Sequence, residues 1–209
     1  MRLSRLQSLG VVAAFAVVVG ACGSESGTVL AGNAPDGYQR VENSSEGFSM
    51  VVPAEWAILD ADDIDAVDFI AETVGSMPEL AGMEEELRGA IDQGVVFWAF
   101  DFDDPQTGFI NNINVIKAPR GGMSAEALQE LNAQQLASMF GTQPSSKLDT
   151  SLQGYEVVRM EYAVPAYGVR GIGALVLTDD TQWVITLAIT QGTALDFDFD
   201  VLVDLFRET

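Results

Sequence analysis

The residues able to do chemistry are few and unevenly spread. The 209-residue chain holds one cysteine, Cys22, and no histidine. Without imidazole, nucleophile–histidine catalysis has no base, and zinc sites of the His/Cys type lose their usual ligand. A single cysteine excludes a disulfide within the chain. Acid–base work would fall to carboxylates, Tyr or Lys. Glu156, Arg159 and Glu161 share one expected strand, and their spacing predicts an ion pair with Arg170 across the sheet. A glycosidase-type pair would need two carboxyls about 5–9 Å apart across a cleft, and no pattern argues for that cleft.

Calcium is the other chemistry to weigh. Asp60, Asp62, Asp63, Asp65 and Asp68 crowd one stretch. An EF-hand loop beginning at Asp60 wants Gly at its sixth position and Glu at its twelfth. Asp65 and Ala71 stand there, so the loop is absent. Asp62 or Asp63 reads better as a helix N-cap, with the other acids favourable to the dipole. Gly168, Gly171 and Gly173 have the wrong spacing for a phosphate loop and read as strand glycines that permit close packing.

Cys22 has the sharpest context. Arg2 and Arg5 give a positive start, and an apolar run from Leu9 to Val19 follows. The run is shorter than the about 20 residues of a membrane span and suits a signal-peptide core. Val19-Gly20-Ala21-Cys22 then resembles the bacterial lipobox. That resemblance implies cleavage between Ala21 and Cys22 and a lipid on the new amino terminus. Two acyl chains are what stable anchoring requires, since each buried methylene contributes about 0.8 kcal/mol. The expected organisation is a signal peptide over 1–21, a lipidated start and flexible tether over 22–36, and one domain over 37–209. A coil of the tether's length reaches on the order of 20 Å.

Charge limits the partners. There are 31 acids against 10 bases, and 48% of the chain is apolar, enough for a real core. Removal of the leader takes Arg2 and Arg5 with it, leaving 8 bases and a net charge of −23. Nucleic acid is excluded as a partner, because phosphate binding needs Lys and Arg to displace counterions.

The elements that must position these residues follow from periodicity. Gly37–Val41 and Gly47–Val52 are strand candidates, the second with Phe48, Met50 and Val52 on one face; Trp56 reads as a core anchor. Ile64, Val67, Ala71 and Val74, then Leu80, Met83, Leu87 and Ile91, form two helical stripes. They predict a helix hairpin over 62–94, with Gly75, Ser76 and Pro78 at the bend. Strands are expected over 95–101 and 109–116. Ser124 should cap a helix over 125–140, with Leu128, Leu131, Leu136 and Phe140 inward. A meander over 148–152, 155–164, 169–178 and 182–190 follows, with a tight turn at Asp179-Asp180. Trp183, Ile185, Leu187 and Ile189 share one face. A final helix should carry Leu195, Phe199, Leu202 and Phe206. The order implies an α+β domain, an antiparallel β-sheet covered by helices.

Gly47-Phe48-Ser49-Met50-Val51-Val52-Pro53-Ala54-Glu55-Trp56, the helix from Ser124 to Phe140, and Gly154-Tyr155 leading into the meander together resemble the PsbP-like fold. With the lipobox, the pattern is similar to the LpqN-type lipoproteins of actinobacteria. The resemblance covers roughly Gly37 to Phe206. It implies an α/β/α sandwich and a non-enzymatic, extracytoplasmic binding or assembly module on the cell membrane, with no cofactor and no metal. The expected partners are the membrane, through the lipid, and another cell-envelope protein. Met77, Met83, Glu84, Glu85 and Glu86 are the candidate partner face, since they combine charge with adaptable apolar surface. Two rival readings stand beside this one: a carrier of a small apolar ligand or lipid, and a carboxylate hydrolase.

Overall fold

The structure is a computed structural model and describes residues 28–30, 33–60, 93–102, 109–152 and 154–209. The signal peptide, Cys22 and the 62–92 part of the expected helix hairpin lie outside these residues.

Two antiparallel sheets organise the described chain. Strands β1 (Thr28–Leu30), β2 (Tyr38–Asn43), β3 (Phe48–Pro53) and β11 (Arg207–Glu208) form the small one in that order. The large one runs β4 (Ala57–Asp60), β5 (Val95–Asp101), β6 (Asn111–Pro119), β10 (Thr181–Thr190), β9 (Val169–Leu177), β8 (Tyr155–Val164) and β7 (Ser145–Leu152). Helix α1 (Ala125–Phe140) carries the chain from β6 to the far edge. The meander β7–β8–β9–β10 then returns inward until β10 docks on β6. This puts β10 in the centre, and eight of its ten residues are buried.

Local chemistry explains the helix. Ser124 sits in extended backbone and its Oγ accepts a hydrogen bond from the Ala127 N–H at 3.3 Å. Gly141 closes the other end with φ 70°, and its N–H donates to Ala137 O; only glycine enters that left-handed region without steric cost. Leu128 and Leu136 are inward as expected, but Leu131 is exposed and Asn132 takes an inward position, donating to Leu128 O at 2.8 Å.

The faces of the large sheet are covered differently. One face packs against α1, which lies over β7 and β8, and Trp98, Phe100, Leu128, Leu136, Tyr162 and Leu175 share the core on that side. The other packs against the small sheet and helix α2 (Phe199–Asp204). There Phe48 lies 5.4 Å from Trp183 and stacks on Phe206 at 5.9 Å. Burying each such side chain stabilises the fold by about 1.5–3 kcal/mol.

The expected α+β, antiparallel architecture is therefore present, in a sheet-rich form: among the described residues the second face is covered by strands and a short helix. The final helix is also shorter than its stripe. Asp198 caps it by accepting from the Asp200 N–H at 2.9 Å, so Leu195 stays outside. The chain leaves at Leu205 so that β11 can pair with β3 and bring Phe206 into the aromatic cluster. Three strands have no counterpart in the periodicity. β1, β4 and β11 have 3, 4 and 2 residues, too few to show a period of two. β1, which lies inside the stretch read as tether, pairs with β2.

Candidate functional site

The sequence-derived candidates Ala21, Cys22, Met77, Met83, Glu84, Glu85 and Glu86 all lie outside the described residues. The expected ion pair with Arg170 is corrected. Glu156 accepts from Arg120 at 2.7 Å, while Arg159 is paired with Asp200 and with Asp204. Arg159 faces α2 rather than its strand neighbour, because α2 brings two carboxylates to that side of β8. Each pair lines a shallow surface groove, of ≈ 520 Å³ beside Arg120 and ≈ 510 Å³ beside Arg159. Asp200 and Asp204 share one guanidinium and keep 62% and 50% of their side-chain surface exposed, unlike a carboxylate pair enclosed for hydrolysis. Among the described residues no group of three acids, cysteines or histidines is placed to hold a metal ion.

A different constellation stands out inside the domain. In antiparallel pairing, residues directly opposite share a face. The register sets Trp98 opposite Asn114, Asn114 opposite Thr186, Thr186 opposite Gly173 and Gly173 opposite Met160. The next row on that face is Phe100, Asn112, Ala188, Gly171 and Tyr162. Both rows belong to the α1-side face, where their apolar members join the core. Four polar atoms there have no hydrogen-bond partner among the described residues: Trp98 Nε1, Asn114 Oδ1, Thr186 Oγ1 and the Tyr162 hydroxyl. Their side chains are almost wholly buried, between 0% and 4% exposed. Gln182 Oε1 is a fifth such atom, set apart on β10 beyond Val184.

Tyr162 shows how the patch is shaped. Its ring crosses from β8 over Gly171 on β9, where a Cβ would lie 2.1 Å from Tyr162 Cζ. A tyrosine ring reaches about one strand spacing, roughly 4.8 Å, so the hydroxyl end of the ring lies over β9. Phe140 of α1 stacks on the ring at 5.6 Å. Burial pushes the phenol well above its ordinary pKa, and it stays a neutral hydroxyl. The four atoms span three strand spacings, about 14 Å.

The patch is polar and uncharged. Trp98 Nε1 only donates, Asn114 Oδ1 only accepts, and the two hydroxyls do either. No ionisable carboxylate, lysine or arginine stands in either row. Asn112 and Asn114 are partly satisfied: Asn112 donates to Ile110 O at 3.0 Å, and Asn114 Nδ2 donates to Asn112 Oδ1 at 3.5 Å. Leaving a buried donor or acceptor unpaired costs about 1–3 kcal/mol each, against a total stability of about 5–15 kcal/mol for a domain. Four in one patch is a large burden unless something else supplies partners.

Sequence reasoning missed these residues, though a signal was there. Asn111-Asn112-Ile113-Asn114 lies in a strand whose remaining residues are apolar except Lys117, and asparagine is depleted in strands. Asn111 has a structural use: its Oδ1 accepts from the Thr190 N–H at 3.1 Å and its Nδ2 donates to Asp101. Thr186 is masked in the sequence by the stronger apolar signal of the opposite face, where Trp183, Ile185, Leu187 and Ile189 line up in the core.

No protein-family profile matches the chain, and no curated protein matches it. Among solved structures it is similar to the solution structure of a cyanobacterial PsbP, CyanoP, from Synechocystis. The two are 15% identical, the match covers 91% of this chain and 99% of that one, and the TM-score is 0.48.

Proposed function

We propose that the chain is a non-enzymatic binding module, lipid-anchored through Cys22 on the extracytoplasmic side of the cell membrane, and that it holds a neutral amphipathic molecule against the α1-side face of the large sheet. The anchor rests on the sequence: the apolar leader and Val19-Gly20-Ala21-Cys22. The binding role rests on one observation, the uncharged patch of unpartnered polar atoms at Trp98, Asn114, Thr186 and Tyr162 within an apolar face.

The chemistry of the patch selects its ligand. An indole N–H, an amide oxygen and two hydroxyls complement hydroxyl or carbonyl groups, and the surrounding Phe100, Met160 and Val184 suit an apolar body. A charged headgroup would lose its hydration with no counter-charge in either row. Small-molecule sites commonly combine an apolar lining with a few polar groups.

Native mass spectrometry of the full chain, purified from membranes in mild detergent, tests the reading. The expected spectrum carries a neutral adduct, diminished in the Thr186→Val/Tyr162→Phe variant. Adduct-free protein that also takes up no neutral amphiphile would contradict it, leaving ordered water as the partner of the patch.

A second reading, docking of a basic cell-envelope protein, is favoured by the −23 charge of the mature chain. Charge reversal of Glu84, Glu85 and Glu86 distinguishes it: cross-linked partners should fall in low salt for a docking face and stay constant for a ligand carrier.

A further inference from the structure

The outer edge of the large sheet carries a pattern unconnected with the internal patch. β7 is the last strand, and among the described residues it pairs with β8 alone. An edge strand offers a row of backbone donors and acceptors to another chain. Ser145, Ser146 and Lys147 are exposed there, and Leu148 is only partly buried against the α1-side core.

The order of residues is self-complementary. When two copies of β7 run antiparallel about a two-fold axis through Leu148, Leu148 meets Leu148. Lys147 of each copy then stands opposite Asp149 of the other. Shifting the axis by one residue sets Lys147 against Lys147 or Asp149 against Asp149. Only the Leu148-centred register joins unlike charges twice and covers both leucines, and cross-strand pairs of this kind are what stabilise a chosen register. Asp149 already has a partner within its own chain, and a carboxylate has about four lone-pair sites, enough to accept a second.

We infer that β7 is a homotypic docking edge: two copies join their large sheets antiparallel through Ser145–Asp149, with Lys147 paired to Asp149 across the axis. A contact of one strand is small beside the about 1,000 Å² expected of a stable interface, and the acidic domains repel one another. The pairing is therefore weak in free solution. Confinement of both copies to one membrane raises their effective concentration toward the millimolar range, where such an edge can close.

The test uses the full lipidated chain in phosphatidylcholine vesicles, with donor and acceptor fluorophores fused after Thr209. Wild type should transfer energy above the level of random coplanar mixing. Lys147→Asp alone or Asp149→Lys alone should lower the paired fraction about tenfold, because two attractive cross-strand pairs become two repulsive ones. Mixing Lys147→Asp donor with Asp149→Lys acceptor should restore transfer, since the two variants complement each other; this also shows that both remain folded. Transfer at the random level in wild type, single variants at wild-type level, or a mixture that fails to recover would each overturn the inference.

Discussion

The ring of Tyr162 lies where the side chain of residue 171 would be, and Gly171 is glycine for that reason. A Cβ there would sit 2.1 Å from Tyr162 Cζ and within 2.6 Å of both neighbouring ring carbons. The ring cannot swing away freely, because Phe140 stacks on it from α1. Gly171→Ala should therefore destabilise the domain by about 1–3 kcal/mol, the usual cost of overpacking. In a Tyr162→Leu background the same substitution should cost less than about 0.5 kcal/mol. Urea unfolding of the four proteins gives the coupling directly; additive losses would show that the two residues do not oppose each other.

The same tyrosine sets an alkaline limit. Its folded pKa is raised by burial above the ordinary 10.0. A raised folded pKa means that its contribution is complete below pH 10 and is lost as pH climbs above it, where only the unfolded state ionises. Stability should fall by about 1.4 kcal/mol per pH unit from this group above pH 10. Tyr162→Phe should remove that slope and leave the curve at neutral pH level or slightly higher. An unchanged alkaline slope in the variant would show that Tyr162 is not the group responsible.

At the head of α1 the cap makes a smaller prediction. The Ser124 hydroxyl accepts from Ala127 N–H, and Glu126 stands in the first turn. The Glu126 carboxylate is held below its ordinary pKa first by a backbone hydrogen bond and then by Ser124. Ser124→Ala should cost about 1 kcal/mol. Because Glu126 is a depressed acid, its part is present above its unfolded pKa of 4.5 and disappears as pH falls through the folded value. The difference between wild type and Ser124→Ala should therefore shrink in acid. A constant difference across that range would separate the cap from Glu126.

Much of this framework was legible in the sequence. β5 and β8 begin and end at the expected residues, and α1 runs from its serine cap to Phe140. Long periodic elements declare themselves because many positions repeat the same message. What escaped was set by tertiary context. Leu131 is on the expected stripe but exposed, and Arg159 chose Asp200 and Asp204 because α2 folds back over β8. The candidate site was less legible still. Trp98, Asn114 and Thr186 lie far apart in the chain, and only the register of β5, β6 and β10 sets them side by side.

The membrane anchor has its own test. Cys22→Ala should move the protein from the detergent phase to the aqueous phase in Triton X-114 partitioning, and the intact mass of the wild type should show Cys22 as the amino terminus carrying two or three acyl chains. Stable anchoring needs at least two chains, so a wild-type mass without them, or unchanged partitioning of Cys22→Ala, would remove the lipid from the account.

The central claim is that an uncharged polar patch inside the domain recognises a neutral amphiphile. Calorimetric titration of the full chain with decanol, decane and decanoate at pH 8 tests it most directly, in wild type and in the Thr186→Val/Tyr162→Phe variant. Two hydrogen bonds at about 0.5–1.5 kcal/mol each should make decanol bind about tenfold tighter than decane, and the charged decanoate should bind weakest. The variant should be at least as stable as wild type, because its lost hydroxyls had no partner among the described residues, yet its preference for the alcohol over the alkane should vanish. Equal affinity for all three probes in wild type, or no binding of any, would contradict the account.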